Sequence, residues 1–158
     1  MDCYEKLVDY AEQNGLEVIE KHFKSSAKGL CKGKKIGISK AIETAAEKRC
    51  VLVEEMAHCY YTVGDILDTR NPAAMRQERI ARAAAYEFLL PINDLVNAYL
   101  NCSHDLNEIP DYLNVTWEFL NSAINHYSRK YGSLTRHGKY IVYFSPLFVC
   151  ESPHIKAV

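Results

Sequence analysis

The 158-residue sequence lacks several features that mark large classes of protein. No run approaches the roughly 18 apolar residues of a membrane-spanning helix, and the charged stretch from Met1 to Lys6 does not resemble an apolar signal segment. None of the cysteines forms C-x-x-C, which argues against a cysteine-type structural zinc site. We therefore expect a cytoplasmic protein without a membrane partner, whose cysteines are reduced and mostly buried.

The sequence also lacks a charge imbalance, an internal repeat and a low-complexity linker. Its formal net charge of -1 gives no global field that would attract nucleic acid or an anionic membrane. The length suits one domain with a substantial core and is short for two. We expect a single domain over residues 1–158.

The hydrophobic periodicity predicts an α+β fold, mostly helical, with a small antiparallel sheet near the N-terminus. A strand is expected within 16–23, a hairpin over 29–39 with its turn at 32–34, and a strand or ordered extended piece at 140–144. The predicted helices are 3–13, one that begins after the Thr44 cap and ends at Gly64, 72–89, about 93–100, about 105–113, and one from Thr116 to Gly132.

The second of these helices carries the sequence Glu54-Glu55-Met56-Ala57-His58. Side chains four positions apart share one face of a helix, so Glu54 and His58 point the same way. This is the geometry of H-E-x-x-H, in which two histidines bind zinc and the intervening glutamate is the general base. His58 occupies the second ligand position and Glu55 the general-base position, whereas Glu54 replaces the first histidine.

A carboxylate can also bind zinc, so Glu54 preserves the number of ligands. The additional negative charge weakens the metal as a Lewis acid and favours harder ions such as Mn²⁺. The alternative is that two glutamates and a histidine lie on a helix for no chemical reason. The apolar neighbours Val51 to Val53 and Met56-Ala57 favour a metal, because burying unpaired charges there is costly.

A third ligand has to come from another element. The helix over 72–89 offers Glu78 and Glu87, and its small apolar residues Ala81 and Ala85 suit close packing on a neighbouring helix. Glu78 lies three and seven residues before these alanines, on the same face, whereas Glu87 lies further around. Glu78 is the better candidate.

Two segments resemble signatures of the ImmA/IrrE family of metallopeptidase-like proteins from phages, mobile elements and bacteria. The string from Glu47 to Ile66 is similar to the family's motif helix. Glu78 through Ala81 and Ala85 to Pro91 resembles its second signature, E-x-x-A-x-x-F-A-x-x-L-L-x-P, with Ala84 in place of the aromatic residue. The resemblance covers roughly residues 1–132.

That resemblance implies a zincin-like motif helix and a site whose metal ligands are Glu54, His58 and Glu78, with Glu55 as the general base. It also implies Zn²⁺, or Mn²⁺ or another divalent metal, as cofactor, and a transcriptional repressor or other regulatory protein of a phage or mobile element as substrate. The alternative is a non-catalytic regulator that binds a repressor or DNA without cleavage.

Residues 105–131 form a pattern that resembles a helix-turn-helix within the domain, with Asn114 at the turn. Ile109, Leu113, Val115 and Phe119 would form its inner face. The second helix has no Lys or Arg before Arg129, and phosphate contacts need cations. Direct nucleic-acid binding through this segment is therefore not expected.

Overall fold

The computed structural model describes residues 2–61, 71–102 and 105–153 of the chain. The helices are α1 (Cys3–Gln13), α2 (Ala45–Tyr61), α3 (Pro72–Leu89), α4 (Ile92–Asn101), α5 (Ile109–Leu113) and α6 (Trp117–Tyr131), with a short 3₁₀ helix at Leu106–Glu108. The strands are β1 (Glu17–Lys21), β2 (Gly29–Lys32), β3 (Lys35–Ser39), β4 (Leu134–His137), β5 (Tyr140–Phe144) and β6 (Leu147–Glu151). The predicted α+β class is confirmed. The predicted end of the second helix, at Gly64, lies outside the described residues.

The N-terminal sheet has the strand order β1-β3-β2. The predicted hairpin is present, because β2 pairs with β3 in the antiparallel direction across the turn after Lys32. Strand β1 joins the other side of β3 in the parallel direction, with Glu17 opposite Lys35. The connection from β1 to β2 leaves β2 at the edge of the sheet, and this edge strand packs on α2.

The helix starts follow the capping residues of the sequence. Asn71 accepts a hydrogen bond from the backbone amide of Ala73, and Thr116 accepts one from Phe119. Thr44 accepts from the amide of Glu47 at 3.2 Å, as predicted. In a capping box the Glu47 carboxylate would also accept a hydrogen bond from the backbone amide of Thr44. Here it contacts Nζ of Lys28 at 2.5 Å instead.

Helices α2 and α3 pack closely against each other at the centre of the molecule. Ala81 and Ala85 of α3 are each 1% exposed, and their small side chains allow the two helix backbones to approach. Leu52 and Met56 of α2 belong to the same buried cluster. This packing brings the two signature segments together.

A second, antiparallel sheet with the order β4-β5-β6 closes the C-terminal side. The sequence predicted only its central strand, over 140–144. Val142 of that strand is fully buried, and the ring of Phe144 stacks on Tyr127 of α6 at 5.9 Å. The flanking strands were missed because each is only four or five residues long and half exposed.

The helix-turn-helix-like segment consists of α5 and α6, joined at Asn114, which adopts the left-handed conformation. The guanidinium of Arg49, on α2, donates hydrogen bonds to the carbonyls of Leu113 at 2.6 Å and Asn114 at 3.1 Å. These hydrogen bonds hold the turn against the motif helix α2. No helix in the described part of the chain is long and apolar enough to cross a membrane.

Candidate active site

Helix α2 carries the motif side chains at the border of the core. Val53 and Met56 are buried, whereas Glu54, Glu55 and His58 are half-buried. The helix therefore holds two adjacent carboxyl groups and an imidazole beside apolar packing, where charge is poorly solvated.

Helix α3 supplies the second part of the site. The structure brings Glu78 to His58, with 3.4 Å between the Glu78 carboxylate oxygen Oε2 and Nδ1 of the imidazole. Glu87, the other candidate for a third ligand, lies elsewhere: its carboxylate contacts Nε2 of His126 at 2.8 Å and Nζ of Lys130 at 2.6 Å. Of the two acidic residues considered on this helix, Glu78 is therefore the one placed beside the motif.

A residue that sequence reasoning missed is Arg82. Its Nε donates to the Glu78 carboxylate oxygen Oε1 at 2.6 Å, a pair of four-residue spacing on α3. That spacing is a signal in the sequence, since Glu and Arg at i and i+4 commonly pair on a helix. Arg82 places a cation against one of the predicted metal ligands.

The electrostatics of the site reflect burial and like charge. Burial, reinforced by the charge of Glu54, raises the pKa of Glu55 to about 7. Burial is also the main cause that raises the pKa of Glu54, opposed by Arg82 and reinforced by Glu78. A cluster of carboxylates that resists ionisation in this way is stabilised by a cation among them.

The edge strand β2 fits directly against Glu55. A Cβ atom added at Gly29 would lie 2.7 Å from Cγ of Glu55 and 2.7 Å from Cγ1 of Val51, so only glycine fits there without movement. The carboxylate also accepts a hydrogen bond from the backbone amide of Cys31. Glycine in a strand often marks a close approach, but the sequence offered no signal of what approaches it.

The expectation that the cysteines are reduced is wrong for one pair. Cys31 of β2 and Cys59 of α2 form a disulfide, with 2.03 Å between the sulfur atoms. Tertiary packing brings together two cysteines separated by 28 positions, and no spacing rule predicts that contact. The bridge joins the edge strand to the residue after His58. The expectation that the cysteines are mostly buried is also wrong. Cys50 and Cys102 are buried, whereas Cys31, Cys59 and Cys150 are half-buried and Cys3 is exposed.

The donor types present suit a divalent metal, because one imidazole nitrogen and several carboxylate oxygens are ligands of zinc and of harder ions. The raised pKa values of the two motif glutamates also fit a site that receives a cation. In the described ranges, however, no three His, Cys, Asp or Glu side chains already converge as a metal-binding group. His58 and Glu78 are adjacent, and the full ligand set with Glu54 stays a prediction.

A family model described as the IrrE N-terminal-like domain, of the peptidase class, matches residues 11–125. This stretch contains α2, α3 and all four predicted site residues. No curated protein matches the chain.

Proposed function

Because the chain belongs to the IrrE N-terminal-like family of peptidases, we propose that it is a metal-dependent peptidase acting on a regulatory protein. Membership of this family suggests a metallopeptidase-like function. The observation that carries the proposal is the approach of Glu78 to His58 within 3.4 Å, beside Glu55. The helices that carry the two signature segments, α2 and α3, thus meet at His58 and Glu78, two of the predicted metal ligands.

Glu54, His58 and Glu78 would hold the metal, with zinc first, since the family is generally zinc-dependent, and Mn²⁺ as an alternative because two ligands are carboxylates. When bound, such a metal polarises a carbonyl and makes water a stronger acid. Glu55 accepts the proton of the attacking water and returns it to the leaving amine. Gly29 and the Cys31 amide hold the Glu55 side chain for this task.

The edge strand β2 offers a means of holding the peptide. Among the strands that the structure describes, β2 pairs with β3 alone. An extended peptide can add to such an edge by main-chain hydrogen bonds, at positions other than the Cys31 amide, which donates to Glu55. Because Glu55 touches this strand, a peptide there would pass close to the general base.

We propose a cytoplasmic transcriptional repressor of a phage or mobile element as the substrate. In the cytoplasm the Cys31–Cys59 bridge would be open to reduction.

The pairing of Arg82 with Glu78 favours a second candidate, a regulator that binds its target without cutting it. A guanidinium at 2.6 Å competes with a metal for that carboxylate, and Glu54 already departs from the histidine of the motif. In this second candidate the same helices form a recognition surface, and binding of the target does not require a metal in the site.

Metal analysis of the purified full chain separates the two. Equilibrated with zinc or Mn²⁺, the protein should retain about one ion per chain, and Glu54→Ala and His58→Ala should each lower the metal content. The matched controls are Glu43→Ala and His22→Ala, which change exposed residues outside the site. A protein that binds no metal, and whose thermal stability ignores EDTA, would contradict the peptidase proposal.

Cleavage is tested with candidate repressor proteins, beginning with any that is encoded beside the protein's own gene. The metal-loaded chain should cut one of them, and Glu55→Gln should abolish cutting while the metal content stays unchanged, because Glu55 transfers protons and is not a ligand. Retained metal with binding but no cutting would establish the regulator.

If Arg82 is what excludes the metal, Arg82→Gln should raise the affinity for zinc about tenfold, the value of a lost charge-assisted hydrogen bond.

A further inference from the structure

Helices α3 and α6 enclose a cleft of about 650 Å³ on the face of α3 that turns towards α6. Cationic side chains dominate its walls, although the whole chain has a net charge of -1. No Asp or Glu in the described part of the chain lines it. The cations are Arg76, Arg79 and Arg82 from α3, and Arg129 and Lys130 from α6, with His126 beside them.

Neighbouring carboxylates neutralise only some of these charges. Lys130 pairs with Glu87, and Arg82 pairs with Glu78. Across residues 2–61, 71–102 and 105–153, no carboxylate forms an ion pair with Arg76, Arg79 or Arg129. Arg129 donates from Nε to a carbonyl of its own helix, Asn125, at 3.3 Å. The cleft therefore keeps unbalanced positive charge.

We propose that this cleft binds an acidic segment of a protein partner. Guanidinium groups pair with carboxylates through two parallel hydrogen bonds, and several of them in a concave site select a run of Asp and Glu. Arg76 to Arg82 span about 9 Å along α3, at 1.5 Å per residue, which matches about three residues of an extended peptide. The exposed side chain of Ile80, 45% accessible, adds an apolar contact.

The cleft leads to the candidate active site. Arg82, Tyr86 and Ser122 line it and also line an adjoining cleft of about 470 Å³ that reaches Glu54 on the motif helix. A chain that lay in both would place its acidic segment near α6 and adjacent residues near Glu54. In this respect the inference rests on the proposed function, because it names the chemistry of that substrate or target.

The same observations disfavour nucleic acid as the occupant. Bases of a single strand stack on exposed aromatic faces, but the aromatic rings of the cleft are Tyr86, which is 8% exposed, and half-buried His126. Duplex reading would use the first turn of α6, which carries Glu118 and no cation. A cationic concavity of limited length, on a molecule with little net charge, suits a short acidic peptide.

Fluorescence anisotropy with the full-length protein in EDTA tests the proposal without any need for catalysis. The probes are a labelled peptide rich in Glu and Asp, the same peptide with Gln and Asn, and single-stranded DNA of equal charge. The acidic peptide should bind, its affinity should fall as salt rises, and Arg79→Glu with Arg129→Glu should weaken it about tenfold or more. The control is Lys6→Glu with Lys24→Glu, an equal change in net charge at exposed positions outside the cleft, with an expected effect below about twofold.

Circular dichroism checks that each variant is folded, and Arg79→Gln with Arg129→Gln repeats the test without added negative charge. Equal binding of the Gln and Asn peptide, or acidic-peptide binding that the cleft variants leave unchanged, would overturn the proposal. Tighter binding of DNA that these variants abolish would also overturn it, in favour of a phosphate-binding cleft. Because EDTA is present throughout, a protein without metal or peptidase activity can still pass or fail this test.

Discussion

Two residues, Glu54 and Arg82, set the charge balance of the candidate site. Glu54 adds a carboxylate where the motif has a neutral imidazole, and Arg82 lies against Glu78, the carboxylate from the neighbouring helix. The pKa values of Glu54 and Glu55 are raised by burial, so the site does not readily hold all its charge without a cation. A metal among these groups would support the proposed hydrolysis, whereas Arg82 alone would leave a site suited to binding.

A single methyl group at Gly29 is predicted to disturb the site. In Gly29→Ala the new Cβ would meet Cγ of Glu55 and Cγ1 of Val51 at 2.7 Å, so the free energy of unfolding should fall by about 1–3 kcal/mol, the usual cost of overpacking. Urea denaturation measures this cost. In a Glu55→Ala background, where one clashing side chain is absent, the same substitution should cost less. An equal cost in both backgrounds would show that the new methyl group clashes with Val51 and not with Glu55.

At the scale of elements, the motif helix α2 is held from several sides. Strand β2 packs on it through Gly29 and is joined to it by the Cys31–Cys59 disulfide, and Arg49 fastens the turn between α5 and α6. Strand β1 is tied to the same helix by an ion pair from Glu20 to Lys48, with 2.8 Å between the carboxylate oxygen and Nζ. These contacts fix the helix on which Glu54, Glu55 and His58 depend.

The Glu20–Lys48 pair predicts a pH-dependent contribution to stability. The hydrogen bond from Lys48 lowers the pKa of Glu20 below its ordinary value of 4.5. A carboxyl group with a lowered pKa in the folded protein stabilises it above the unfolded-state pKa, and loses that effect as pH falls through the folded-state value. Because the two side chains are 33% and 21% exposed, Glu20→Gln should cost about 1 kcal/mol at pH 7.

Urea denaturation from pH 7 to pH 3 checks this prediction. The difference between the wild-type protein and Glu20→Gln should shrink as the pH falls below about 4.5. Glu12→Gln, at an exposed position of α1, should show no such trend. A difference that stayed constant with pH would mean that the charge of Glu20 does not contribute.

At the scale of the whole molecule, one cluster of buried residues includes members of every helix from α1 to α6 and of the C-terminal sheet. The family match ends at residue 125, within α6, but the cluster continues through Val142, Phe144 and Val149. The C-terminal sheet therefore completes the same core as the candidate site, although it lies beyond the matched segment.

A single core predicts a single unfolding transition. Val142→Ala removes buried methyl groups from the C-terminal sheet and should lower the free energy of unfolding by about 2 kcal/mol, shifting the whole transition without splitting it. Leu134→Ala, at a 44% exposed position of the same sheet, should have a much smaller effect. Denaturation followed by both far-ultraviolet circular dichroism and tryptophan fluorescence of Trp117 provides the test. Two separate transitions would show that the C-terminal sheet unfolds independently.

Local patterns in the sequence predicted the helices, the N-terminal strands and the central strand of the C-terminal sheet, in their order along the chain. Capping residues such as Asn71 and Thr116 act through their own backbone neighbours, so the helix starts could be identified without the fold. Helical spacing also selected Glu78 over Glu87 as the residue beside His58, because both the alanines and Glu78 lie on the face that packs on α2. The motif, its family and the α+β class thus followed from residues close together in the chain.

The tertiary structure decided what depends on residues far apart in sequence. The Cys31–Cys59 bridge and the fit of Gly29 against Glu55 require a particular packing of sheet on helix. The parallel pairing of β1 with β3 requires a particular order of strands in the sheet. The cationic cleft is the clearest case. Neither the few cations of α6 nor those of α3 indicated a function in the sequence, because only the packing of the two helices places them in one cleft. Hydrogen bonds and charges act over a few ångströms in space, whatever the distance along the chain, and only the fold sets those distances.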